Sequence, residues 1–111
     1  MKEGDVILTP LPQADGRVKN RPAIFLREMP PFQDVLVCGV STQPHQMAPD
    51  FDELITPRDS DFVTSGLIAE SLVRLGFLAV LPRKNIVGSI GAITPERHTR
   101  LLRKLSRHLE P

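Results

Sequence analysis

The tetrapeptide Arg21-Pro22-Ala23-Ile24 sets a permanently charged side chain with five N–H donors at the head of an apolar run. Proline has no amide hydrogen to give a sheet ladder, so the Arg-Pro pair predicts the point where a loop enters a strand, with Arg21 at the rim. The preceding stretch, Asp15-Gly16-Arg17-Val18-Lys19-Asn20, adds two more cations. A guanidinium beside further cations is suited to holding a phosphate through paired, charge-assisted hydrogen bonds. The same residues also describe an ordinary surface arginine next to a polar turn, and the motif alone does not separate the two. The three histidines, His45, His98 and His108, show no paired metal spacing, and Cys38 stands alone in Val35-Leu36-Val37-Cys38-Gly39-Val40, which predicts an inert buried thiol.

The elements that must carry this chemistry are short. Apolar and alternating runs predict strands at Asp5–Thr9, Arg21–Arg27, Val35–Ser41, Asp52–Ile55, Ser71–Leu75, Phe77–Leu81 and Val87–Ile93. The 11 prolines punctuate these runs and exclude long helices in between. One helix is expected at the end of the chain. Thr94-Pro95-Glu96 supplies an N-cap, a first-turn proline and an acidic residue, and Leu101, Leu102, Leu105 and Leu109 follow as an apolar stripe. The reading is a mainly β fold, a small barrel with a C-terminal helix packed on it.

With 111 residues, 41% of them hydrophobic, the chain is read as one domain, 1–111, with a modest core. The longest nearly apolar stretch, Leu75 to Leu81, is too short for a bilayer, so no membrane role is expected. No leader-like pattern opens the sequence, and a lone cysteine gives no disulfide framework, which makes a cytoplasmic location the expectation. The net charge of +1 exerts little overall pull on nucleic acid, yet the charges are unevenly placed. Asp50, Asp52, Glu53, Asp59 and Asp61 crowd one segment; Arg97, Arg100, Arg103, Lys104 and Arg107 crowd another. They read either as two solvated faces or as complementary surfaces of a dimer.

Taken in order, several segments resemble the PemK/MazF family, the toxin halves of bacterial toxin-antitoxin pairs. They are the opening Gly4-Asp5-Val6-Ile7, the Arg-Pro-Ala motif at Arg21, and the run Val37 to Gln43 with its paired hydroxyls. Ser65-Gly66-Leu67 with Glu70-Ser71-Leu72-Val73, and Ile90-Gly91-Ala92-Ile93-Thr94-Pro95-Glu96, continue the likeness over nearly the whole chain. The resemblance implies an SH3-like barrel, a homodimer, a cognate antitoxin as partner, and cleavage of single-stranded RNA without metal or cofactor. In that chemistry the ribose 2′-hydroxyl attacks the adjacent phosphorus, leaving a cyclic phosphate and a free 5′-hydroxyl. It needs a proton acceptor, a proton donor and charge stabilisation at the phosphate.

The resemblance further implies that Arg21 binds the phosphate, that Ser41 and Thr42 donate to it or position the ribose, and that Arg74 acts as acid or second clamp. Ser41 and Thr42 equally suit simple capping of a strand end. Arg17, Lys19 and Gln43 are candidates for phosphate and base contacts. His45 is a candidate acid or base by its usual pKa, or else an exposed loop residue. Where the family often carries an acid two positions after the second arginine, this chain has Gly76, and its first loop reads Ala14-Asp15-Gly16-Arg17, leaving Asp15 as a possible substitute or a plain turn residue. Slow cleavage, raised by Gly76→Asp, is therefore expected; a non-catalytic barrel that binds RNA or a protein is the alternative. With no Trp or Tyr, bases would have to stack on Phe32 or Phe51, since Phe25 and Phe77 read as core.

Overall fold

The computed structural model describes residues 1–12 and 15–111. Six strands run β1 Asp5–Pro12, β2 Val18–Met29, β3 Asp34–Ser41, β4 Glu53–Ile55, β5 Ser71–Leu81 and β6 Gly88–Ala92, followed by helix α1, Pro95–Leu109. They form one antiparallel sheet in the order β4-β5-β3-β2-β1-β6, curled into a half-barrel. The small barrel with a terminal helix anticipated from the sequence is what the chain forms.

Apolar side chains cover both faces of the sheet. Val6, Ile24, Cys38, Val40, Val73 and Leu75 meet Leu101 and Leu105 of α1 on one face, while Ile7, Leu11, Ala23, Phe25, Val35 and Val37 gather on the other. That is why Ala23–Leu26 is buried without a break instead of alternating: both neighbours in the pleat have a core to enter. Register shifts between Val6 and Ile7, between Phe25 and Arg27, and opposite Cys38–Gly39 bend the strands and curl the sheet. Gly91 admits the 61–66 loop onto β6, where a Cβ would collide with Thr64 O, and Ala92 N donates to that carbonyl at 2.9 Å.

The structure moves several boundaries. β2 begins at Val18, three residues before Arg21, so Arg21 lies within a strand. The runs Ser71–Leu75 and Phe77–Leu81 are one strand, because Gly76 is part of a bulge and not a break: Gly39 pairs with Arg74 while Cys38 pairs with Leu78. Leu109 is 68% exposed and leaves the helix stripe; its place in the buried face is taken by Arg97, which is 6% exposed.

That arginine explains the uneven charge. Arg97 reaches Asp61 through Nε (2.7 Å) and Nη2 (3.2 Å), and Glu53 Oε1 and Leu54 O through Nη1 (3.0 and 3.1 Å). Arg100 forks onto both Glu53 oxygens at 2.7 Å and Lys104 Nζ adds a contact at 2.9 Å. Neither sequence reading of the two clusters holds for these residues, because the acidic segment and the helix neutralise each other inside one chain. Burial pushes the Glu53 carboxyl up, yet hydrogen bonds from Arg100 and Lys104 outweigh it and hold the group below the ordinary range. Asp61 is likewise raised by burial and held low overall by Arg97 and the Thr94 amide. Thr94 caps the helix as expected, its hydroxyl accepting from Arg97 N at 3.2 Å.

Candidate functional site

Sheet register assembles the site. Gly39 of β3 stands opposite Ala23 of β2 on one side and Arg74 of β5 on the other. Cross-strand partners share a face, and a face repeats every second residue, so Arg21 and Ser41 lie on the same face as Arg74. Val73 and Leu75 point the other way into the core, as alternation predicts. Arg21 belongs to a two-stranded ribbon, Thr9–Pro12 with Val18–Arg21, that runs past the last β2–β3 pair at Ala23. Pro22 is tolerated there because the β3 ladder has already ended.

The result is a cleft of about 620 Å³ at the C-terminal end of β3, lined by Leu11 and Arg21 from the ribbon, Gly39 to Gln43 from β3 and its exit, Gln46, and Arg74 with Phe77 from β5. Five sequence candidates, Arg21, Ser41, Thr42, Gln43 and Arg74, are brought together here. Arg17, Lys19 and His45 are exposed and do not line it. Arg17 instead pairs with Asp15 at 3.8 Å, and Asp15 accepts from the Arg17 amide at 2.9 Å, the behaviour of a turn residue. Ala14, the first residue of that loop reading, lies outside the described residues. Ser41 also shapes the chain locally, since its Oγ accepts from Gln43 N at 3.0 Å and faces Gln46 Oε1 at 3.5 Å.

Residues in and beside the cleft escaped sequence reasoning, among them Phe77, Gly39, Asp52 and Gln46. Phe77, read as core, would face away from Arg74 in a regular strand, since the two are three residues apart; the bulge turns both into the cleft, with Arg74 Cζ 5.8 Å from the ring centroid. Gly39 makes room for that ring, as a Cβ on it would meet Phe77 Cδ1 at 3.0 Å. Asp52, expected among solvated acids, is 5% exposed and accepts from Leu75 N inside the bulge and from Ala48 N, both at 2.9 Å. Gln46 lay in plain sight in Pro44-His45-Gln46 but had no pattern to single it out. As for the proposed stacking residues, Phe51 is half-buried against His108, ring centroids 4.8 Å apart, and Phe32 is exposed at the far end of β3.

The charge of the cleft lining is cationic. Among the described residues its only charged lining groups are two arginines, and it carries hydroxyls and carboxamides besides, with no acid and no histidine. Gly76 is outside it, and a Cβ there would touch Phe51 Cε2 at 3.6 Å. Among the described residues no group of three or more His, Cys, Asp or Glu is placed to hold a metal ion, and no helix is long and apolar enough to cross a membrane.

The family model for the PemK-like, MazF-like toxin of type II toxin-antitoxin systems matches residues 2–109. The chain belongs to that toxin family. A search of curated proteins found no match. The resemblance carried by Arg21-Pro22-Ala23-Ile24 and the Val37 to Gln43 run therefore extends over the chain, and the cleft is built on two of its stretches.

Proposed function

We propose that the protein is a toxin-type endoribonuclease that cleaves single-stranded RNA without a metal ion, acts as a cytoplasmic homodimer, and is neutralised by a cognate antitoxin. The observation that carries this reading is the pair Arg21 and Arg74 lining one cleft with Ser41, with no carboxylate among the described lining residues. Arg21 grips the scissile phosphate, and Ser41 and Thr42 donate to its oxygens or align the ribose. The 2′-oxygen bonds to phosphorus, the bond to the 5′-oxygen breaks, and the products are a cyclic phosphate and a 5′-hydroxyl. Arg74 and Arg21 stabilise the charge that builds on the phosphoryl oxygens, with Arg74 serving as the acid for the leaving oxygen or as the second clamp on the phosphate. Phe77, not Phe32 or Phe51, supplies an apolar surface beside the scissile position.

Among the described residues no side chain lining the cleft is an ordinary base, which leaves hydroxyls, carboxamides or solvent to receive the 2′-proton. Turnover is accordingly slow, and the same observation keeps a second reading in view: a barrel that binds RNA or a protein without cutting. Long single-stranded RNA incubated in chelator with wild type and Arg21→Ala separates the two. Cuts that persist in chelator and fall by about 10²–10³ in Arg21→Ala support the nuclease; binding without cuts supports the alternative. Light scattering on the same samples checks the dimer, which a strictly monomeric mass would remove.

A further inference from the structure

The cations of α1 divide into two sets. Arg97, Arg100 and Lys104 are turned to Glu53 and Asp61, where they hold the helix to the rest of the chain. Arg103 and Arg107 are exposed and make no ion pair among the described residues. They stand one helical turn apart, about 6 Å along the axis, and with Thr99, Arg100 and Lys104 they line a second depression, of about 710 Å³. Arg100 keeps half of its side chain in solvent while its fork rests on Glu53, so it lends this surface charge. The helix dipole favours a cation in the last turn and accounts for Arg107, but Arg103 lies too early to serve it.

What fits this surface follows from what it lacks. Apart from Pro95 at the N-terminal end, no residue lining the depression is apolar, and its one acid, Glu96, is at that same end. A protein partner draws its affinity from apolar anchors at the centre of an interface. A phosphodiester backbone needs only cations spaced along its track. The helix end that carries Arg107 also reaches the cleft wall: His108 lies against Phe51, ring centroids 4.8 Å apart, and a Cβ on Gly76 would stand 3.6 Å from Phe51 Cε2. Gly76 is exposed and sits between Arg74 and Phe77, which line the cleft. We infer that Arg103 and Arg107 bind two phosphates of a single RNA strand that leaves the cleft over the β5 bulge. The inference rests on the RNA reading of the cleft and extends its substrate to a strand longer than the cleft holds. Such contacts position the strand and read no bases.

The test measures Kd across a salt series for single strands with 2′-O-methyl riboses, which bind but cannot react. Lengths of about 20 and about four nucleotides separate a strand that spans both surfaces from one held by the cleft alone. Wild type is compared with Arg103→Gln/Arg107→Gln and with a charge-matched control, Lys2→Gln/Lys84→Gln, whose lysines are exposed and line neither depression. On the long strand the helix variant should lose about 10-fold in affinity at low salt, and its log–log salt slope should fall by about 1.4, two contacts at about 0.7 each. Its thermal midpoint should stay within about 4 °C of wild type. Arg103→Lys/Arg107→Lys, which keeps both charges, should keep the slope; a slope lost there too rejects phosphate neutralisation. An unchanged slope in the Gln variant overturns the inference, as does an equal loss in the control or an equal loss on the short strand. Poly-glutamate binding that falls in the Gln variant while RNA affinity holds assigns the face to an acidic protein and likewise overturns it. Wild type that binds the long strand but cuts unmethylated RNA nowhere defeats the nuclease reading and leaves the slopes to decide this one. Wild type that does not bind RNA overturns both.

Discussion

Two regions of this molecule are built around arginine, and they differ in what surrounds the guanidinium. At the helix, Arg97 is enclosed by Asp61, Glu53 and Asp59, with the Leu54 carbonyl taking a further donor. At the cleft, Arg21 and Arg74 share their cavity with hydroxyls, carboxamides and an aromatic ring, and with no carboxylate among the described residues. A guanidinium saturated by acids of its own chain is a structural clasp. The two guanidinium groups at the cleft line a cavity whose described residues include no acid. Charge counts do not reveal this difference, since the segments around Arg21 and Arg97 are both cationic in the sequence.

The sharpest way to break the comparison is to truncate one arginine from each region. Arg97→Ala strips buried Asp61 of its guanidinium and removes one of the three cations on Glu53, and should cost about 3–5 kcal/mol of unfolding free energy, read by urea denaturation. Arg21→Ala should cost clearly less on the same denaturation than Arg97→Ala, because its side chain is exposed and not buried, while abolishing most cleavage. A stable Arg97→Ala or an unfolded Arg21→Ala would erase the distinction.

Acid should act on the clasp and spare the cleft. Glu53 and Asp61 have folded pKa values held below 4.5 and 3.8, their ordinary values. Their contribution is therefore complete above those ordinary values and is lost as pH falls through the lower folded ones. Unfolding midpoints should hold steady from neutral pH to about pH 5 and then drop, and Asp61→Asn should flatten that drop. A profile unchanged in Asp61→Asn would detach the clasp from acid stability.

The smallest effect is expected at Gly76. A side chain there meets Phe51 and lies outside the cleft, so Gly76→Asp should change kcat/KM by less than about threefold, against the increase expected from the sequence alone. An increase of tenfold or more would mean that the β5 bulge rearranges when RNA binds.

Much of the fold was legible because its signals are local. Proline spacing, alternating runs and the Thr94-Pro95-Glu96 cap are written in neighbouring residues, and they predicted seven strand runs and one helix, of which Ser71–Leu75 and Phe77–Leu81 form a single strand and the others lie within a few positions. Arg21, Ser41, Thr42, Gln43 and Arg74 were legible as candidates because their motifs resemble a family that matches residues 2–109. Arg17, Lys19 and His45 were chosen for charge or titration alone, and chain proximity did not carry them into the cleft.

The sequence by itself determined the strands, the helix and the kinds of side chain available, since backbone preference and hydrophobic period act over a few residues. Which arginine would be spent on the fold and which left to the cleft was decided only by tertiary structure. Arg97 meets Asp61 across 36 residues of chain and Arg100 meets Glu53 across 47. Arg21 and Arg74 come to one face through a register set by β3 between them, and Phe77 joins them only because a bulge reverses its direction. Pairing over such distances depends on the sheet closing as a whole, and no short segment encodes it.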